Sequence, residues 1–171
     1  RIFNAVRTEK LRADLGVRKM TAKIMDGKAT AEKLRAGIKA EVANLKVKPG
    51  LAAVLVGKNP ASQVYVEIKR KTCDEVGIYS ELYKLPEETT EKELLQLIDK
   101  LNKSEKIHGI LVQLPLPKHL NTQPILDAIP RHKDVDVLSS SSFAEFVLGT
   151  FPVLPPTVAA ISLLLKKTKK K

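Results

Sequence analysis

The chain has 171 residues, enough for one domain and short for two. With 43% apolar and 29% charged residues it has an ordinary globular balance, which excludes a disordered chain, a fibrous repeat and a disulfide scaffold. Thirty basic residues against 19 acidic ones give a formal charge of +11, which raises a nucleic-acid or anionic-membrane partner.

The charge is not spread evenly. Residues 1–19 carry six basic and two acidic side chains, and residues 166–171 carry five lysines. The body between them holds a net +2. Three parts are therefore expected: a basic extension over 1–19, a folded domain over 20–165 and a basic tail over 166–171. Basic ends on a nearly neutral domain suggest tails that touch something anionic, RNA or anionic lipid. The plain alternative is a solvated terminus kept for solubility.

Residues 1–19 are Arg-rich and poor in acids, like part of an organellar targeting segment, but lack its usual serines. A second start-like point occurs at Met20. Ala31, Leu34, Ile38, Val42 and Leu45 step by three or four, which predicts a helix from about Thr30, stopped by Pro49 and Gly50. Leu51 to Val56 is a continuous apolar run, the mark of a strand buried on both faces. A turn over Gly57 to Pro60 leads into a helix from about Ala61 to Val76, closed by Gly77.

Tyr79 to Leu85 reads as a strand, and Thr90 with Glu93 forms a capping box before an apolar-periodic helix. His108 to Leu114 is another buried strand, stopped by Pro115 and Pro117. Asn121 is expected to cap a short helix through Ile129. Ser139 to Ser142 reads as loop. A last helix is expected through Lys167, with Thr157 as its cap and Val158 to Leu165 buried. This layout predicts an α/β, three-layer domain with a mostly parallel sheet.

Cys73 is the only cysteine, so no intrachain disulfide is possible. A reducing compartment fits: mitochondrial matrix, another organelle or cytoplasm. His108, His119 and His132 lack metal-ligand spacing, and no Gly-x-Gly-x-x-Gly or Gly-Lys-Ser/Thr loop exists.

Chemistry can live in three places. Tyr65 and Lys69, four apart on a helix, share one face. A lysine drawn partly out of water can trade protons near neutrality, although surface Tyr/Lys pairs are common. Gln113 interrupts an apolar strand near its carboxyl end, where α/β sites form; otherwise it is a satisfied core amide. Lys133 to Asp136 offers two carboxylates, or an ordinary charged turn.

Together these motifs resemble the methylenetetrahydrofolate dehydrogenase/cyclohydrolase family, N-terminal catalytic (folate-binding) domain. The matching stretches are Gly57 to Lys71 (GKNPASQVYVEIKRK), Gly109 to Pro117 (GILVQLPLP) and Lys133 to Asp136 (KDVD). Met20 to Gly27 resembles the start of bacterial members. The resemblance implies interconversion of methylene-, methenyl- and formyl-tetrahydrofolate, with NAD(P) for the redox step. It implies proton transfer by Lys69, folate stacking on Tyr65, a hydrogen bond from Lys69 to Gln113, and pterin binding by Asp136.

The chain also departs from that pattern. The family continues into a Rossmann-type domain with a Gly-Arg-Ser-x-x-Val-Gly loop, and this chain ends where that domain is expected, so no cofactor site is expected within it. Asp136 is followed by Val137, Leu138 and Ser139 where the family has Gly-Phe-His. The Asn-x-Gly-Arg motif reads Ser142 to Glu145, and Pro-Cys-Thr-Pro reads Pro152 to Pro155. The expectation is a truncated pseudoenzyme, an accessory subunit of a larger organellar assembly contacted by residues 1–19 and 166–171. The alternative is an active folate-binding domain with cyclohydrolase or dehydrogenase activity, completed by a separate nucleotide-binding chain.

Overall fold

The computed structural model describes residues 24–168. The basic extension, the start-like Met20 and the last three lysines of the tail lie outside the described residues.

Helix α1 (Gly27–Ala43) starts earlier than its apolar spacing predicts, because Asp26 caps it: an Asp26 carboxylate oxygen accepts the Ala29 N–H at 2.9 Å. Strand β1 (Gly50–Val56) is buried almost throughout. Helix α2 (Pro60–Val76) opens with Asn59 accepting from Ser62 N–H and with Pro60 in its first turn. It ends on Gly77 at φ 85°, a left-handed backbone that glycine takes without penalty. Strand β2 (Tyr79–Leu85) leads to helix α3 (Glu91–Lys103), whose Thr90/Glu93 capping box forms both bonds. Strand β3 (Gly109–Val112) follows, and the chain then turns at a cis Leu114–Pro115 bond. Helices α4 (Thr122–Asp127), α5 (Ser140–Val147) and α6 (Pro156–Lys167) complete the order, with a 3-10 turn at Arg131–Lys133.

The sheet order is β2-β1-β3, all parallel, pairing Gly50 with Tyr79 and Leu51 with Gly109. β1 is thus central, as its unbroken apolar run requires. The chain leaves β1 toward one edge and then crosses back to the other. Right-handed crossovers in opposite directions put α2 and α3 on opposite faces. The side chains agree. Lys84 on β2 reaches Glu67 on α2 at 2.8 Å, while Tyr83 and Leu85 pack toward the core that holds Leu94 and Ile98 of α3.

Several local expectations change. Asn121 precedes α4 but its side chain makes no capping bond. Ser139 to Ser142 is not loop: Ser139 caps α5 by accepting from Ser142 N–H, and the other three serines form its first turn. Thr157 lies inside α6, whose start is set by Pro155 and Pro156. Val158 to Leu165 is not buried; no residue of α6 is. Among the described residues no helix is long and apolar enough to cross a membrane.

Candidate active site

Three elements bring the predicted residues together at the carboxyl ends of the strands. α2 buries Ser62, Val66, Cys73 and Val76, and Lys69 falls on that same inward row, half-buried. Tyr65 sits at the border of the row and is 59% exposed, a platform facing solvent. Gln113 follows β3 directly and is half-buried.

Lys69 Nζ donates to Gln113 Oε1 at 3.2 Å. Gln113 Nε2 donates to the Leu114 carbonyl at 2.7 Å, which fixes the amide so that its oxygen faces the lysine. The glutamine that breaks the apolar strand is therefore satisfied, and satisfied by the site. Ser62, which the motif reading did not single out, is buried one turn before Tyr65, with its Oγ 3.5 Å from the Leu114 carbonyl. Its signal in the sequence is a small polar residue on the inward row of α2.

The third element is the KDVD stretch, whose residues do three different jobs. Lys133 is 7% exposed and donates to the carbonyls of Leu101, Asn102 and Ser104 at 3.1, 2.8 and 2.8 Å, closing the end of α3. Asp134 is 5% exposed and accepts from Val137, Leu138 and Ser139 N–H and from Ser139 Oγ. Burial works to raise its carboxyl, but the Ser139 bonds outweigh it and hold the group below the usual carboxylate range. Asp136 is the carboxylate that faces the site. Burial pushes it above the usual range, the Lys69 charge pulls it down, and the like charge of Asp134 pushes it up. The "two carboxylates" are thus one structural and one site-facing group.

Val137, next to Asp136, is fully buried and has φ 58°. A β-branched residue in the left-handed region is a genuine outlier. Glycine, the residue that the family resemblance places here, takes this backbone freely, and valine meets it under strain.

Among the described residues no group of His, Cys, Asp or Glu could hold a metal ion. The α2 N-terminus is filled by Asn59 and Pro60, so the β1–α2 turn is no open cradle for a dinucleotide phosphate.

A parallel α/β domain with lysine, amide, carboxylate and tyrosine gathered at its strand ends is the frame of a small-molecule catalytic domain. The family model described as "Tetrahydrofolate dehydrogenase/cyclohydrolase, catalytic domain" matches residues 25–136. Among curated relatives, the bifunctional protein FolD of Geotalea daltonii is 56% identical over 150 residues, covering 86% of this chain and 54% of that protein. FolD of Moorella thermoacetica is 52% identical over 151 residues, covering 86% and 54%. The crystal structure of the bifunctional enzyme FolD, a methylenetetrahydrofolate dehydrogenase/cyclohydrolase from Campylobacter jejuni, superposes with TM-score 0.83 at 42% identity, covering 86% of this chain and 54% of that one. The chain belongs to the tetrahydrofolate dehydrogenase/cyclohydrolase family, as the motifs at Tyr65, Gln113 and Asp136 imply, and contains its catalytic domain. It spans about half the length of the curated relatives it matches.

Proposed function

We propose that this chain binds a reduced folate and carries the hydrolytic half of the family chemistry, methenyltetrahydrofolate to 10-formyltetrahydrofolate. The observation that carries this reading is the Lys69–Gln113 bond with the Asp136 carboxylate close enough to feel the lysine charge. In this reading Tyr65 stacks on the folate and Asp136 accepts from the pterin ring. Lys69 takes a proton from water as the water oxygen bonds to the methenyl carbon. It then delivers a proton to N5 as the carbon–N5 bond breaks. The hydroxyl proton of the collapsing adduct leaves to solvent, so one water is consumed and one proton released. Gln113 orients the amine and accepts from it. The redox half of the family chemistry uses NAD(P).

The exposed apolar face of α6, with Val158, Ile161 and Leu165 uncovered, supports completion of the site by a further domain or a separate nucleotide-binding chain. Titration calorimetry with 5-formyltetrahydrofolate tests the reading. Binding is expected, weakened by Tyr65→Ala and by Asp136→Ala. No heat at millimolar ligand overturns it.

The strained Val137 beside Asp136 favours a second reading. In it the domain is an inherited pseudoenzyme serving a larger assembly, in the mitochondrial matrix or another organelle, held through residues 1–19 and 166–171 on RNA, anionic lipid or protein. It predicts co-purification with a large complex, lost on deleting either end. Monomeric behaviour in native extracts counts against it.

A further inference from the structure

We infer that Asp134 is the positioning residue of the site: its buried carboxylate holds the turn at Val137 and so aims Asp136 at Lys69. Asp134 offers nothing to a ligand directly. One oxygen accepts from Val137 N–H at 2.9 Å and Leu138 N–H at 3.4 Å; the other accepts from Ser139 N–H at 3.0 Å and Ser139 Oγ at 2.7 Å. Its carboxylate bonds all run forward, over Asp136.

The stretch is pinned on both sides of Asp136. Behind it, the Asp134 backbone bridges to Ile110 of β3, and Lys133 is tied to the end of α3. Val135 lies against Gly109, where an added Cβ would come within 2.5 Å of Val135 Cγ1, so glycine there lets the segment close on the sheet. Ahead of it, Val137 sits at φ 58°, a backbone it does not favour. The Asp134 carboxylate bonds the Val137, Leu138 and Ser139 N–H groups across that turn, so without it the valine loses the contacts that hold it off an ordinary φ. Rotating the Val137 backbone swings the adjoining Asp136 peptide and takes the carboxylate away from Lys69.

This inference rests on the folate-binding reading for its consequence but not for its geometry, so the test has two readouts. In the 171-residue chain, Asp134→Asn is expected to weaken 5-formyltetrahydrofolate about tenfold, the loss of one charged hydrogen bond. Asp134→Asn with Asp136→Ala is expected to bind no more weakly than Asp136→Ala alone, because Asp134 acts through Asp136. Val137→Gly in the Asp134→Asn background is expected to restore most of the affinity, since glycine takes the turn unaided. The second readout needs no folate. Asp136 carboxyl titration by carbon NMR is expected to move upward on Lys69→Met in the parent chain, and to stay put on Lys69→Met in Asp134→Asn. If Asp134→Asn does not fold, Ser139→Ala, which removes one hydroxyl donor, is expected to shift both readouts the same way by less. Absent folate binding by the parent chain defeats the functional reading only, and the titration then decides. Additive affinity losses, or a Lys69→Met shift that survives in Asp134→Asn or Ser139→Ala, overturn the inference.

Discussion

Lys69 and Gln113 lie 44 residues apart and meet at 3.2 Å, joining the middle of α2 to the end of β3. Because Gln113 Nε2 is occupied by the Leu114 carbonyl, the amide can only accept from the lysine. Replacing Gln113 by leucine keeps the shape and deletes the acceptor. The expected cost is about 1 kcal/mol in urea unfolding, with a larger loss in methenyl hydrolysis, about tenfold or more. Gln113→Glu acts differently. A carboxylate there favours the charged ammonium, which cannot take a proton from water. Its pH–rate profile is expected to move to the alkaline side. An unmoved profile would remove Lys69 from the proton-transfer role.

Asp134 and Asp136 are two residues apart and shift in opposite directions from 3.8. Asp134 is lowered, so the folded state favours its charged form; its stabilisation is present above the unfolded value and lost as pH falls through the folded one. Asp136 is raised, so the folded state holds its proton longer; its stabilisation is present below the unfolded value and lost as pH rises through the folded one. Asp136→Asn is therefore expected to raise the urea midpoint at pH 7 and to leave it near the parent value at pH 3. Asp134→Asn is expected to lower it at pH 7, by about 2 kcal/mol for the buried donors it strands, and by less at pH 3. Urea titrations of both variants at the two pH values check the signs.

Much of this frame was legible because short-range chemistry wrote it. Gly77 and the Thr90/Glu93 box each satisfy helix-end groups from within a few residues, and both form as expected, while the helix expected from about Ala61 starts at Pro60 with Asn59 as its cap. Ser139 to Ser142 reads as loop for the same local reason. Serines suit loops and caps alike, and Asp134, five residues before Ser139, decides between them. The inward row of Lys69 follows from helical spacing, but its bond to Gln113 depends on two strand ends meeting. The split of Lys133, Asp134 and Asp136 into clamp, turn-holder and site carboxylate depends on burial, which adjacent charges do not reveal. The apolar run in α6 predicted burial, yet that helix lies uncovered among the described residues.

Lys133 makes a further case. Its ammonium is buried and bonded to three carbonyls at the end of α3. Lys133→Met fills the space and abandons all three acceptors. The expected loss is about 3 kcal/mol, more than any exposed ion pair here would give, since surface pairs such as Lys103–Asp99 contribute at most about 1. Thermal unfolding of Lys133→Met beside Asp99→Asn makes the comparison direct, and equal losses would contradict the buried clamp.

Val137 sets two effects against each other. Its left-handed backbone costs about 1–3 kcal/mol in strain, while its fully buried side chain contributes about 2 kcal/mol by leaving water. Glycine removes both, so Val137→Gly is expected to fall within about 1 kcal/mol of the parent. Alanine removes most of the side chain and keeps much of the strain. At ordinary positions alanine is the more stabilising by about 0.5–1 kcal/mol, because glycine gains more freedom on unfolding. Here the order is expected to reverse, with Val137→Gly more stable than Val137→Ala. Paired urea midpoints measure that sign alone, without any folate present. If alanine proves the better residue, the turn is not left-handed in solution, and the strain at Val137 goes with it.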